Sequence, residues 1–489
     1  MQSNSRTTGA LALMTAQAIL LLFGYAAHFW IGKYLGPAAY GIYGVVLSLQ
    51  MIFNLVLTLG VPPAVSKFIA AHADNWAAVA RAGWRIQFLL AGGMALLALA
   101  GAYPFALLLG DPSLAPYLSL LSLIFLFTGS YALLVNIFNG LHLFLRQAGL
   151  VIFYACAKLA GQILLSLRFG ISGAIAGFAV GGAAASLLGI FWQRGLKKEA
   201  SAAGGGTFAN KKVIRFAMPF VLIVMSLQIV MSLDLFMVKR LLADNAATGF
   251  YSAAVTLSRI PYFILQALGF VLLPSVSRIL AREPERANPF FQQVTRYLAI
   301  LIFPAIAFAA LTSKKLLQLF FTDAYTPAAT ALSVLMLALG TLSVFFLLAS
   351  IVAGAGRPII PMLFGWLMVP LSIASGAFLI PRWGLVGAAF QTLCAALVGT
   401  ILLGIWCWRH YRLRVATFEL LHIALATIAA GLPTYIWEPP PLMLPLQYLI
   451  LGIAYLALLW FLGVLRADDW ARVRLLLQKS KAVVRASQS

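Results

Sequence analysis

The sequence predicts an all-α, polytopic membrane protein of about fourteen transmembrane helices, built as two parallel six-helix lobes and two C-terminal helices. Three observations predict it. Apolar runs recur along the whole chain, the basic residues between them alternate in abundance, and the two halves carry matching motifs in the same order.

A helix needs about 20 mostly apolar residues to cross the hydrocarbon core. Of the 489 residues, 63% are hydrophobic and 9% charged, with a mean hydropathy of +0.97, whereas a soluble domain carries roughly a quarter charged residues. In the first lobe (1–193) the runs fall at 9–32, 41–63, 84–109, 115–138, 148–169 and 171–193. The Gly/Ala-rich basic segment 194–212 follows and reads as a flexible cytoplasmic linker. The second lobe (213–408) has runs at 213–238, 250–274, 293–312, 327–350, 359–381 and 384–408. Two further runs, 417–437 and 441–464, occupy 409–464, and a basic tail covers 465–489. The links at Arg168–Ile171 and Arg382–Gly384 are so short that the helix count depends on whether the chain breaks there.

The first run lacks a small-residue cleavage site and reads as the first span. Cys156, Cys394 and Cys407 all fall inside runs, as small apolar fillers rather than a disulfide or metal set. In the tail, Trp470, Val473, Leu476 and Leu477 share one side of a basic helix, which suits either an anionic leaflet or a solvated end.

A net charge of +22 suggests nucleic acid until its distribution is read. With the N-terminus inside, the outer segments hold only seven of the 34 lysines and arginines: Lys33, Arg168, Lys239, Arg240, Lys314, Lys315 and Arg382. Lys158 and Arg259 lie inside runs, and all the rest are in inner segments. This positive-inside bias puts both termini in the cytoplasm and makes nucleic acid an unneeded partner. Trp30 and Trp437 at outer ends, with Trp84, Trp192, Trp406 and Trp408 at inner ends, fit an interfacial belt.

The halves repeat. "PAVSKFIA" at Pro63–Ala70 aligns with "PSVSRILA" at Pro274–Ala281, "YGIYG" at Tyr40–Gly44 with "TGFYS" at Thr248–Ser252, and "GISGA" at Gly170–Ala174 with "GLVGA" at Gly384–Ala388. Each half holds an even number of runs, so both have one orientation and an axis along the membrane normal relates them.

The stretch "LGPAAYGIYGVVLSLQMIFNLVLTLGVPPAVSKFIA" (Leu35–Ala70) resembles the polysaccharide-transport branch of the multidrug/oligosaccharidyl-lipid/polysaccharide exporter superfamily. That branch includes O-antigen and exopolysaccharide flippases. Asp234–Ala254, with Asp234 ahead of Gly249, Tyr251 and Ala254, resembles the corresponding point of the second lobe. The resemblance implies flipping of an undecaprenyl-diphosphate-linked oligosaccharide from the inner to the outer leaflet by alternating access. It also implies cationic residues lining a central cavity. The implied partners are a lipid-linked glycan, membrane lipids and polysaccharide polymerase or glycosyltransferase machinery, in a bacterial or archaeal cytoplasmic membrane. No cofactor is expected; Na⁺ or H⁺ coupling stays open.

Charges inside spans mark function by default. Lys158 stands near mid-span with Tyr154, Gly161 and Gln162 one turn away. It reads as a contact for the substrate diphosphate, or as a structural lysine bonded to carbonyls. Arg259 precedes Pro261, which should loosen the backbone there, and its guanidinium suits bidentate phosphate binding. Asp234 is the one acid well inside a span. Its depth differs from that of Arg259 by only ~6 Å, so an ion pair competes with a coupling-ion site, and pairing would draw Arg259 away from substrate. Gln17 and His28 on the first span, Gln50 and Asn54 on the second, Gln162 and Gln266 form polar stripes that suit either a hydrophilic cavity or helix–helix contacts.

Three functions compete: a lipid-linked oligosaccharide flippase (or a lipid II flippase), a cation-coupled multidrug exporter of the same superfamily, and a membrane enzyme. Cationic drugs favour acids in the first lobe, but Asp74, Asp111 and Glu199 all lie in links. An enzyme needs a loop carrying acids or bases, and the longest outer link, 313–326, has only Lys314, Lys315 and Asp323 as charged groups. No phosphate loop, metal cluster or nucleophile–base spacing stands out, so the reading is a flippase rather than an enzyme.

Overall fold

The computed structural model describes the backbone of residues 2–200, 210–282, 287–412 and 416–465, and the side chains of 8–72, 74–196, 221–263, 288–412 and 416–465. Among these residues the fold is helical without strands. The helices are α1 (Gln2–Leu59), α2 (Val61–Ala71), α3 (Trp76–Leu108), α4 (Ala115–Ser119), α5 (Leu121–Gly140), α6 (Phe144–Ala200) and α7 (Asn210–Leu242). They continue with α8 (Asn245–Arg282), α9 (Ala287–Leu311), α10 (Ser313–Phe320), α11 (Ala329–Gly354), α12 (Ile359–Tyr411), α13 (Thr417–Gly431) and α14 (Leu444–Phe461). The tail stripe at Trp470–Leu477 lies outside the described residues.

Among the described residues ten segments are long and apolar enough to cross a bilayer, and the protein is a multi-pass membrane protein. The fourteen runs read in the sequence exceed this number by four: the run at 250–274 reaches past the described side chains of α8, and the other three have a physical reason. Three long elements each fold back on themselves at one glycine and carry two runs. In α6 the break is Gly170 (φ 58°, ψ −131°), and in α12 it is Gly384 (φ 54°, ψ −129°). On either side of Gly170, Gly173 abuts Leu165, Gly177 abuts Gln162 and Gly181 abuts Lys158, so the two arms run antiparallel. Around Gly384 the pairs are Gly387 with Leu379, Gly376 with Gln391 and Gly399 with Met368. Such backbone angles are essentially confined to glycine. A single residue therefore makes the whole turn. In α1 the break is Gly36 (φ 78°, ψ 175°), and Pro37, with its φ preset for a helix, opens the second arm. By contrast α8, of which side chains are described only to Phe263, is helical straight through Pro261, where the sequence led us to expect loosening.

The described residues divide into two compact units between Gln228 and Ile229, inside α7 rather than in the segment 194–212. Part of that segment is itself helical: α6 runs to Ala200 and α7 starts at Asn210, while 201–209 lie outside the described residues. In the first unit α2, α3 and α6 pack on α5. Val65 and Ile69 of α2 meet Val79 of α3 and Leu133 and Ile137 of α5 in one cluster. Leu134 and Phe138 join Leu150, Val151 and Ala185 in another. In the second unit α8, α9 and α12 pack on α11, whose middle is buried almost without interruption. The two C-terminal helices dock on α9 through Phe308, Ile423, Ala426, Leu451 and Tyr455. The Tyr455 hydroxyl donates to the Ile300 carbonyl at 3.0 Å.

The repeat is visible in local geometry. Gly170 and Gly384, which align, have nearly the same φ and ψ. Each is preceded two residues earlier by an exposed arginine, Arg168 or Arg382.

Candidate functional site

In the first unit the site residues gather where the hairpins α1 and α6 meet. His28 on the first arm of α1 shares a hydrogen bond with the Tyr40 hydroxyl on the second (2.9 Å), and its ring lies edge-on to Tyr43 at 5.6 Å. Tyr43 is fully buried, and its hydroxyl accepts from Gln162 Nε2 of α6 at 2.7 Å. One turn before Gln162, Lys158 is buried. Its Nζ lies 5.6 Å from the Tyr154 ring centre and 5.0 Å from that of Phe178, within cation–π range. Tyr154 in turn stacks on Tyr131 of α5 at 4.1 Å. The arms of α6 approach closely because position 181 is glycine: a Cβ there would sit 2.6 Å from the Lys158 Cα. Among the described residues no carboxylate faces Lys158; Asp74 and Asp111, the acids of this lobe whose side chains are described, lie in the short links after α2 and α3.

In the second unit the focus is Asp234 on α7. Its Oδ2 accepts from the Tyr251 hydroxyl of α8 (2.8 Å) and from Thr392 Oγ1 of α12 (2.9 Å), and its Oδ1 from the Leu235 backbone N–H (2.7 Å). Arg259, buried on α8, donates through Nη2 to the Met231 carbonyl at 2.7 Å. It also interacts electrostatically with Asp234. The carboxylate thus clamps α7, α8 and α12, and Arg259 belongs to the same cluster. Beside it, neither end of the buried Gln391 amide nor the Ser372 hydroxyl has a hydrogen-bond partner among the described residues.

The aligned positions of the two lobes show a reciprocal exchange. Gln162 with Gly177 in α6 corresponds to Gly376 with Gln391 in α12. Each hairpin buries one glutamine against one glycine, but from opposite arms. Lys158 aligns with Ser372. The charge is the asymmetric part.

The remaining polar positions scatter. Gln17 is exposed, Gln50 is buried, and Asn54 is half-buried with an Oδ1 that has no hydrogen-bond partner among the described residues. The Gln266 side chain lies outside the described residues. Sequence reasoning missed Thr392, Gln391 and Phe178, which look like any threonine, glutamine or phenylalanine in an apolar run. Tyr43 stands in the sequence only as a repeat signature and Tyr251 as that and part of the family resemblance; their shared position in the repeat is the clue to their role.

Two compact units of long membrane helices, each with a buried polar centre, define a class of polytopic membrane protein whose fold is shared with known transporters. The lipid II flippase MurJ in an inward-closed conformation superposes with a TM-score of 0.73 at 15% identity, covering 94% of this chain and 100% of that one. An inward-facing multidrug resistance transporter of the MATE family in the MOP superfamily gives 0.66 at 15% identity, covering 79% and 94%. A MOP superfamily transporter from Pyrococcus furiosus, described as having a binding pocket of reverse polarity, gives 0.59 at 15% identity, covering 82% and 95%. Residues 31–330 match the family model for polysaccharide biosynthesis proteins, and the chain belongs to that family. No curated protein matches its sequence.

Proposed function

We propose that the protein is a flippase that moves an undecaprenyl-diphosphate-linked oligosaccharide from the inner to the outer leaflet of the cytoplasmic membrane by alternating access, for polysaccharide biosynthesis. One observation carries this reading: Lys158 is a buried lysine in a membrane span that faces aromatic rings and no described carboxylate. A lysine at the centre of a span costs about 2.5–3.5 kcal/mol on insertion scales, so a compensating role is expected. A lipid diphosphate supplies the missing anion. Arg259 shares the role less fully, because the Met231 carbonyl and Asp234 already engage it. Family membership and the flippase-like fold support the same reading. A lipid II flippase is the nearest alternative, favoured by the full-length superposition on MurJ. A cation-coupled drug exporter fits less well, since Asp74 and Asp111, the first-lobe acids whose side chains are described, lie in the short links between the long helices.

Asp234 holds α7, α8 and α12 together in this scheme, and any Na⁺ or H⁺ coupling would act by releasing that clamp. The test replaces Lys158 and Arg259 singly with Ala and with Gln in cells lacking the wild-type gene, and follows surface glycan at equal protein level. Lys158→Gln should lower export about tenfold or more, the equivalent of ~1.4 kcal/mol, and Arg259→Gln should lower it less. Full export by both Ala variants would sink the proposal.

A further inference from the structure

A cavity of about 530 Å³ opens in the second unit, lined by residues other than Asp234 and Arg259. It lies between the start of α9, the last turns of α11, the end of α12 and the first residue of α13. Phe291, Val344, Leu347, Leu348 and Cys407 make its walls, and the exposed Trp408 stands at its edge. Three threonines, Thr295, Thr400 and Thr417, also line it, and the hydroxyls of the first two are turned into the backbone. Thr295 donates to the Phe291 carbonyl at 2.8 Å, and Thr400 to the Thr341 carbonyl at 3.2 Å. The interior is therefore largely apolar, and its size falls in the range of small-molecule sites, roughly 300–1,000 Å³.

The same end of these helices is strongly basic. Arg296 follows Thr295 directly, and Arg409 follows Trp408. Arg412 caps the C-terminus of α12, and Arg357 is near enough to the Tyr411 hydroxyl to act on it electrostatically. Arg357, Arg409 and Arg412 are exposed. The described acid at this end is Glu419, and Arg296 already holds it at 3.8 Å. Asp323 and Glu438 belong to the opposite ends of α11 and α13.

We propose that this cavity binds an anionic glycerophospholipid, with one acyl chain in the apolar slot and the phosphate at the arginine collar of Arg357, Arg409 and Arg412. Basic pockets between membrane helices attract such headgroups. A zwitterionic lipid offers the chain without the net charge. The basic tail of this protein, 465–489, would bring like charge to the collar. This site is independent of the role assigned to Lys158.

The test uses the full-length protein in detergent and native mass spectrometry with three probes: phosphatidylglycerol, phosphatidylcholine of the same acyl chains, and undecaprenyl phosphate. Wild type should retain phosphatidylglycerol about tenfold more than phosphatidylcholine. The double variant Arg357→Gln/Arg409→Gln should bring the two lipids close to equal retention. Gly404→Leu fills the slot from α12, where an added Cβ would find its nearest neighbour, Leu348 Cδ1, at 3.9 Å. Val344→Trp fills it from α11. Either filling variant should lower retention of phosphatidylglycerol about tenfold, the equivalent of ~1.4 kcal/mol. Equal retention of the two phospholipids by wild type overturns the proposal. So does retention that neither filling variant changes. Stoichiometric displacement of phosphatidylglycerol by undecaprenyl phosphate, itself lost in Gly404→Leu, assigns the slot to a polyprenyl chain and overturns it as well.

Discussion

Asp234 accepts three hydrogen bonds from three sources, and two come from side chains on other helices. Removing a donor to a buried carboxylate costs about 1–3 kcal/mol. Tyr251→Phe and Thr392→Val should each lower the detergent melting temperature. The double variant should fall short of additive, because both bonds end on the same oxygen. Sequence alone places Asp234 and Arg259 at compatible depths, and in the structure the two interact electrostatically. Depth arithmetic says nothing about which uncharged donors share the carboxylate. Thr392 was illegible for that reason: its partner is 158 residues away, and its own run is apolar apart from Gln391 beside it.

At the scale of the element, the glycine hairpins make the sharpest predictions. Gly170→Ala and Gly384→Ala place a side chain in a backbone region nearly confined to glycine, so each should destabilise by roughly 1–3 kcal/mol. The two costs should be similar, because the conformations match. Chemical denaturation in mixed micelles measures both. The exchanged glutamine gives a second test. Gly177→Gln alone drives a side chain into the Gln162 backbone, and Gln162→Gly alone strips the donor from the buried Tyr43 hydroxyl. Together they rebuild the arrangement of Gly376 and Gln391. The pair should recover at least 1 kcal/mol relative to the sum of the single variants, on the order of coupling between contacting residues. Additive losses would mean that the exchange is incidental. The helices themselves were legible as apolar runs. The hairpins at Gly170 and Gly384 were half-legible, as links too short for an ordinary loop, but only the backbone shows that one glycine suffices.

For the whole molecule, the alternation of basic links states an orientation. In a variant with Cys156, Cys394 and Cys407 replaced by Ala, Thr322→Cys should react with a membrane-impermeant maleimide in intact cells. His72→Cys should react only after permeabilisation; both positions are exposed. The reverse pattern would invert the topology. The repeat was legible from three short motifs, while the division inside α7 was not. The conspicuous basic segment 194–212 marks a change of composition, but the limit of a compact unit depends on what packs against what, and that property belongs to pairs of distant residues.

The one-glycine turns also bear on how the chain is made. A pair of apolar arms without an intervening loop has almost nothing hydrophilic to push through the bilayer: at the tip of α6 one arginine, and at the tip of α12 another. Each pair can leave the insertion channel as a preassembled hairpin, its backbone polar groups already satisfied and its arms already in register. A reporter fused shortly after Gly170 would then stall with the first arm only partly committed to the lipid. One fused beyond Gly181, where the second arm has met Lys158, would find both arms seated.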